Sequence, residues 1–82
     1  GLLQRGNLNY SDFAFSDDGS IIYAATSNRT SIQIGNYPSL LRSNEILLRG
    51  FPVMIERKAN KIICVSKKSE SDIVTGIEVI DL

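Results

Sequence analysis

The chain has no histidine, no tryptophan and a single cysteine. Without histidine, neither a Ser-His nor a Cys-His dyad can form within it. Cys64 has no partner for an internal disulfide. It lies in Ile62-Ile63-Cys64-Val65, where a thiol serves as a small buried hydrophobe. Nine Lys and Arg balance nine Asp and Glu, so no broad field draws the chain to nucleic acid or to an anionic membrane. No apolar run approaches the roughly 18 residues of a membrane-spanning helix. Gly1-Leu2-Leu3-Gln4-Arg5 lacks the charged region and long apolar stretch of a secretory leader. With one lone thiol, this favours an intracellular, reducing compartment. A Gly-x-Ser-x-Gly elbow, a phosphate loop and a Cys/His metal cluster are missing as well. The sequence therefore predicts no catalytic residue, no metal ligand and no cofactor.

What remains is β-forming. Apolar residues fall in alternations and pairs rather than at helical spacing, and many are β-branched. Turn signals recur at the short intervals of an all-β fold. Asp17-Asp18-Gly19, Asn28-Arg29-Thr30, Asn36-Tyr37-Pro38-Ser39 and Ala59-Asn60 read as turns, as does the stretch from Lys68 to Ser71. Strands are expected over Leu2–Arg5, Ser11–Ser16, Ser20–Thr26, Thr30–Gly35, Glu45–Arg49, Val53–Glu56, Lys61–Lys67 and Thr75–Asp81. The polar loop at Leu40-Leu41-Arg42-Ser43 is expected to hold one helical turn.

The same strand–turn–strand pattern occurs twice. Phe13-Ala14-Phe15-Ser16-Asp17-Asp18-Gly19-Ser20-Ile21-Ile22-Tyr23-Ala24-Ala25 is followed by Val53-Met54-Ile55-Glu56-Arg57-Lys58-Ala59-Asn60-Lys61-Ile62-Ile63-Cys64-Val65. Ile32-Gln33-Ile34 then matches Ile77-Glu78-Val79, and Arg5-Gly6 matches Arg49-Gly50, each preceded by leucines. The second strand of each copy is almost continuously apolar. Strand side chains alternate between faces, so such a run implies burial on both. Sheets stacked face to face satisfy this, and a repeat near this period is the mark of a blade array.

The sequence resembles a degenerate WD-repeat β-propeller. Phe15-Ser16-Asp17-Asp18-Gly19 is similar to the family's Phe-Ser-Pro-Asp-Gly turn, with Asp17 in place of Pro. Ser27-Asn28-Arg29-Thr30 resembles its second turn, with Asn28 where the family has Asp. Ile32-Gln33-Ile34-Gly35-Asn36 and Ile77-Glu78-Val79-Ile80-Asp81 resemble its third strand, with Gly35 and Ile80 in place of Trp. The resemblance implies an all-β fold of antiparallel propeller blades. Residues 1–50 would form one blade with a preceding outer strand, and residues 51–82 a second, incomplete blade. Apart from the outer strand at Leu2–Arg5, that makes seven strands in blades of roughly four, fewer than a closed propeller needs. The rest of the ring would come from further blades or from another chain, pairing with the exposed edge of the last strand.

The resemblance also implies a protein-interaction scaffold that is not itself an enzyme. Partners of the family dock on the rim built here from Gly6–Tyr10, Ser27–Thr30, Gly50–Pro52 and Lys67–Ser71. Tyr10, Arg29, Phe51, Lys67 and Lys68 are the candidate contacts, with the two aromatics in loops. Two other readings stay open: a segment of a catalytic or ligand-binding propeller whose active site lies elsewhere, and a small self-associating β domain. Asp17 and Asp18 initiate a hairpin turn rather than bind metal. Arg57, Lys58, Lys61, Lys67 and Lys68 form an acid-free charge run. A strand over Lys61–Lys67 splits it between two ends roughly 20 Å apart, so a nucleic-acid patch is not expected. Asn9-Tyr10-Ser11 and Asn28-Arg29-Thr30 match the glycosylation pattern by chance alone.

Overall fold

Among the described residues, alternation broken by Gly, Asn and Pro produces seven strands: β1 (Tyr10–Phe15), β2 (Ile21–Thr26), β3 (Ser31–Asn36), β4 (Arg42–Leu47), β5 (Phe51–Lys58), β6 (Lys61–Lys67) and β7 (Thr75–Asp81). The computed structural model describes residues 9–73 and 75–82. The strand expected over Leu2–Arg5 lies outside the described residues. The strands form two antiparallel meanders, a four-stranded sheet in the order β1-β2-β3-β4 and a three-stranded sheet in the order β5-β6-β7. Among the described residues no helix is long and apolar enough to cross a membrane.

Two expectations are corrected. Leu40-Leu41-Arg42-Ser43 holds no helical turn. Leu40 takes a φ of 60°, Asn36 N donates to the Leu41 carbonyl at 2.9 Å, and β4 already begins at Arg42. Phe51 and Tyr10 are not in loops: each is the first residue of a strand. Pro52 is accommodated in β5 because that strand lies at a sheet edge and its register shifts between Pro52 and Met54.

The register fixes which side chains share a face. In the first sheet Ala14, Tyr23, Ala25, Ile32, Ile34 and Ile46 point toward the second sheet. Phe13, Phe15, Ile22, Ala24 and Gln33 point away. In the second sheet Ile55, Ile62, Cys64, Glu78 and Ile80 point inward, and Met54, Ile63, Val65, Ile77 and Val79 point outward. The core between the sheets joins Tyr23, Ala25 and Ile32 to Ile55, Ile62 and Cys64. Complete burial of one such isoleucine is worth about 1.5–3 kcal/mol. Burial also pushes the Cys64 thiol up to about 11, as befits a core hydrophobe rather than a reactive group.

The sheets meet along a seam between β1 and β5, which run in the same direction. Ser11 Oγ donates to the Pro52 carbonyl at 2.8 Å. The Asp12 carboxylate accepts from Ile55 N at 2.9 Å and from Phe13 N at 2.8 Å. Farther along, Arg57 Nε donates to the Phe15 carbonyl at 2.7 Å, and its guanidinium pairs with Asp17. Both seam strands carry a register shift at corresponding places, Tyr10/Asp12 and Pro52/Met54. Such bulges leave backbone groups out of the ladder, and the seam bonds engage groups beside them.

Asp12 is the acceptor for an edge N–H of a buried residue, whereas the Asp17 side chain is 93% exposed. Asp12→Ala is expected to lower the unfolding free energy by about 1–3 kcal/mol. Asp17→Ala should cost less than about 1 kcal/mol. Chemical denaturation of both variants checks the order.

Candidate interaction surface

Antiparallel meanders collect alternate connections at the same end. The shared direction of β1 and β5 aligns the two sheets, so the starts of β1, β3 and β5 lie beside the ends of β2, β4 and β6. All five residues singled out in the sequence fall at this end. They do not form one cluster there. Arg29 and Phe51 line a shallow depression with Asn28, Ser31, Glu45 and Leu47. Lys67 and Lys68 line a second one with Arg49, Gly50, Ile77 and Glu78. Tyr10 stands apart, with its ring centroid 5.6 Å from that of Phe13.

The loops at this end are held by specific bonds. Asn9 N donates to Asn28 Oδ1 at 3.0 Å, and Ser27 N donates to the Asn9 carbonyl at 2.7 Å. Leu48 N donates to the Thr30 carbonyl at 2.9 Å. The buried Thr26 hydroxyl lies 2.9 Å from the Arg29 carbonyl and 2.6 Å from that of Ser31. Lys67 Nζ donates to the Glu70 carbonyl at 2.8 Å, so this ammonium helps to close its own loop. Arg29 and Lys68 are exposed. Burial raises the Tyr10 phenol above its ordinary range, and the Arg42 charge opposes this in part.

Residues the sequence reading passed over carry more of this architecture. Glu78 accepts from Arg49 N at 2.9 Å, from Gly50 N at 3.3 Å and from Ser66 Oγ at 2.9 Å. It thereby fastens the connection from β4 to β5 against the second sheet. Gly50 is needed there, since a Cβ would stand 2.6 Å from the Lys67 carbonyl oxygen. In the first sheet Gln33 is 1% exposed. It donates to Ser31 Oγ at 3.0 Å and Glu45 Oε2 at 2.7 Å, and accepts from Arg42 Nη1 at 3.1 Å. A polar residue in an alternating strand reads as solvent-facing. The glutamine becomes buried because charged neighbours on β4 fold over it and satisfy it.

The opposite end is built by turn chemistry. Asp18 Oδ1 accepts from Ser16 Oγ at 2.8 Å, Ser20 N at 3.0 Å and Ser20 Oγ at 2.7 Å, and Gly19 supplies a φ of 75°. Arg57, Lys58 and Lys61 lie at this end and Lys67 and Lys68 at the other, because β6 spans the sheet between them. Among the described residues, no group of three or more His, Cys, Asp and Glu is placed to hold a metal ion. Compared with protein-family models, with curated proteins and with solved structures, the chain matches none.

The bonds from Ser20 and Ser16 hold the Asp18 carboxyl well below its ordinary 3.8, at about 2. A depressed folded-state value means that the ionised turn stabilises the fold above the ordinary value. That contribution is lost as pH falls toward 2. Between pH 5 and 2, wild type should therefore lose more stability than Asp18→Ala. Denaturant midpoints measured across that range check the difference.

Proposed function

We propose that the chain is a pair of propeller-type blades of WD-repeat character that serves as a protein-interaction scaffold. The observation that carries this reading is the sense in which the sheets stack. Ile32 and Ile34 of β3 face the second sheet, whereas their counterparts Ile77 and Val79 of β7 face away from the first. Tyr23 and Ala25 face inward, whereas Ile63 and Val65 face outward. A sandwich related by a two-fold axis would turn matching residues toward one another. Here each sheet presents the same face forward, as successive blades do. The chain also leaves the first sheet at its far edge, β4, and enters the second at β5 beside β1, which is how blade follows blade around an axis.

In this reading the partner is a protein, and catalysis is not assigned to these residues. The end that gathers Arg29, Phe51, Lys67 and Lys68 is the docking rim, with Tyr10 at its margin. Its two shallow depressions suit an extended or loop-like partner segment better than a small molecule. Exposed basic side chains beside Phe51 offer steering charge and one aromatic anchor.

Photo-crosslinking residues placed at Arg29 or Lys68 should capture the same partner protein, and those placed at Ser39 or Asn60 at the other end should not. Arg29→Glu combined with Lys68→Glu should weaken that capture about tenfold, a loss of about 1.4 kcal/mol. Capture that is absent at the rim, or equal at both ends, would overturn the reading.

A further inference from the structure

The depression at Lys67 and Lys68 holds a local charge imbalance that the neutral total of the chain hides. Its walls carry Arg49, on the connection from β4 to β5, and Lys67 and Lys68, where β6 ends. Arg49 and Lys68 are exposed. Among the described residues the ion pairs lie at the opposite end, Arg57 with Asp17 and Lys61 with Asp81, so none of these three cations meets a carboxylate of its own chain. Lys67 Nζ gives one bond to the Glu70 carbonyl, and an ammonium has further N–H donors to offer.

The acid in this depression is already engaged. Glu78 Oε1 accepts from Arg49 N at 2.9 Å, and Oε2 accepts from Ser66 Oγ at 2.9 Å and Gly50 N at 3.3 Å. Glu70 and Asp72, the acids of the loop after β6, are not part of its lining. A ligand entering here therefore meets cationic walls whose side chains lack a carboxylate partner.

Between those walls the surface is bare. Gly50 and Gly76 bring backbone to the surface of the depression, and Ile77, 72% exposed, adds an apolar wall. A Cβ at Gly76 would have nothing within 4 Å, so open space lies over that residue. This space has room for an apolar side chain, and the cations stand where carboxylates on either side of it would reach. Arginine can take a carboxylate with two parallel bonds, and lysine adds a point charge. A nucleic acid fits less well. No aromatic side chain among the described residues lines the depression for a base to stack on, and the cations gather at one spot rather than along a stripe.

We propose that this depression binds an acidic peptide segment of a partner protein, with an apolar side chain over Gly76 and flanking carboxylates on Arg49 and Lys68. The inference rests on the scaffold reading above and adds the chemistry of the partner at the rim. Arg49 becomes a contact that the sequence did not single out.

The probe is a short labelled peptide in which one leucine is flanked by aspartates, titrated against the full chain by fluorescence anisotropy. The same peptide with asparagines for aspartates should bind at least about tenfold more weakly. Arg49→Gln should weaken the acidic peptide about tenfold as well. Gly76→Val fills the space without changing a charge. It should abolish binding and leave the β circular dichroism intact, because its Cβ meets nothing within 4 Å. No binding at high micromolar concentration would overturn the proposal, as would equal binding of the two peptides or tighter binding of a single-stranded oligonucleotide. An acidic peptide indifferent to both Arg49→Gln and Gly76→Val would overturn the place assigned to it. A partner protein captured at Arg29 and Lys68 while the acidic peptide fails to bind would sink this inference alone and leave the scaffold reading standing. A peptide that binds as expected while no protein is captured at the rim would do the reverse.

Discussion

The fold depends on how β1 and β5 are held side by side. These are edge strands of different sheets, and their outer backbone groups have no ladder to join. Side chains complete them instead: Ser11 for the Pro52 carbonyl, Asp12 for Ile55 N and Arg57 for the Phe15 carbonyl. These bonds set both the direction and the height of one sheet relative to the other. The hydrophobic core is less directional, because burial of Ile32, Ile55 and Ile62 is not tied to individual donor and acceptor positions. Paired donors and acceptors do not tolerate a slide, since a buried N–H left without its acceptor costs as much as a core methylene or more.

Local elements were legible in the residues. β6 and β7 run as expected over Lys61–Lys67 and Thr75–Asp81. The Asp17-Asp18-Gly19 turn declares itself through side chains that bond their own backbone neighbours. The all-β character follows from β-branched residues and frequent turn signals. The expectation of burial on both faces holds for β2, where Ile22 through Thr26 are all buried. It holds only for alternate residues of β6, Ile62, Cys64 and Ser66, because among the described residues no strand packs over the other side.

What escaped the sequence was every residue whose role depends on a distant partner. Arg57 sits in a run of cations and reads as solvated, yet its side chain is 11% exposed because the end of β1 lies across it. Asp12 looks like the polar half of an alternation. Gln33 and Glu78 occupy the same step of the repeat and read alike, but the first is buried under β4 and the second grips the turn into β5. Their difference is not in the strand that carries them. It arises because, among the described residues, the first sheet has a fourth strand lying over Gln33 and the second has three strands.

The sheet edges differ in how they meet solvent. β1 and β5 shield each other along the seam. β4 is blunted by a register shift opposite Ile34 and Gly35 and by exposed Arg42, Asn44 and Glu45, the devices by which natural sheets refuse further strands. β7 has neither bulge nor lysine, and it pairs with β6 in unbroken register from Lys61 to Lys67. Among the described residues β7 is thus the less guarded of the two outermost edges, so the molecule is polar in the sense that a crystal axis is polar.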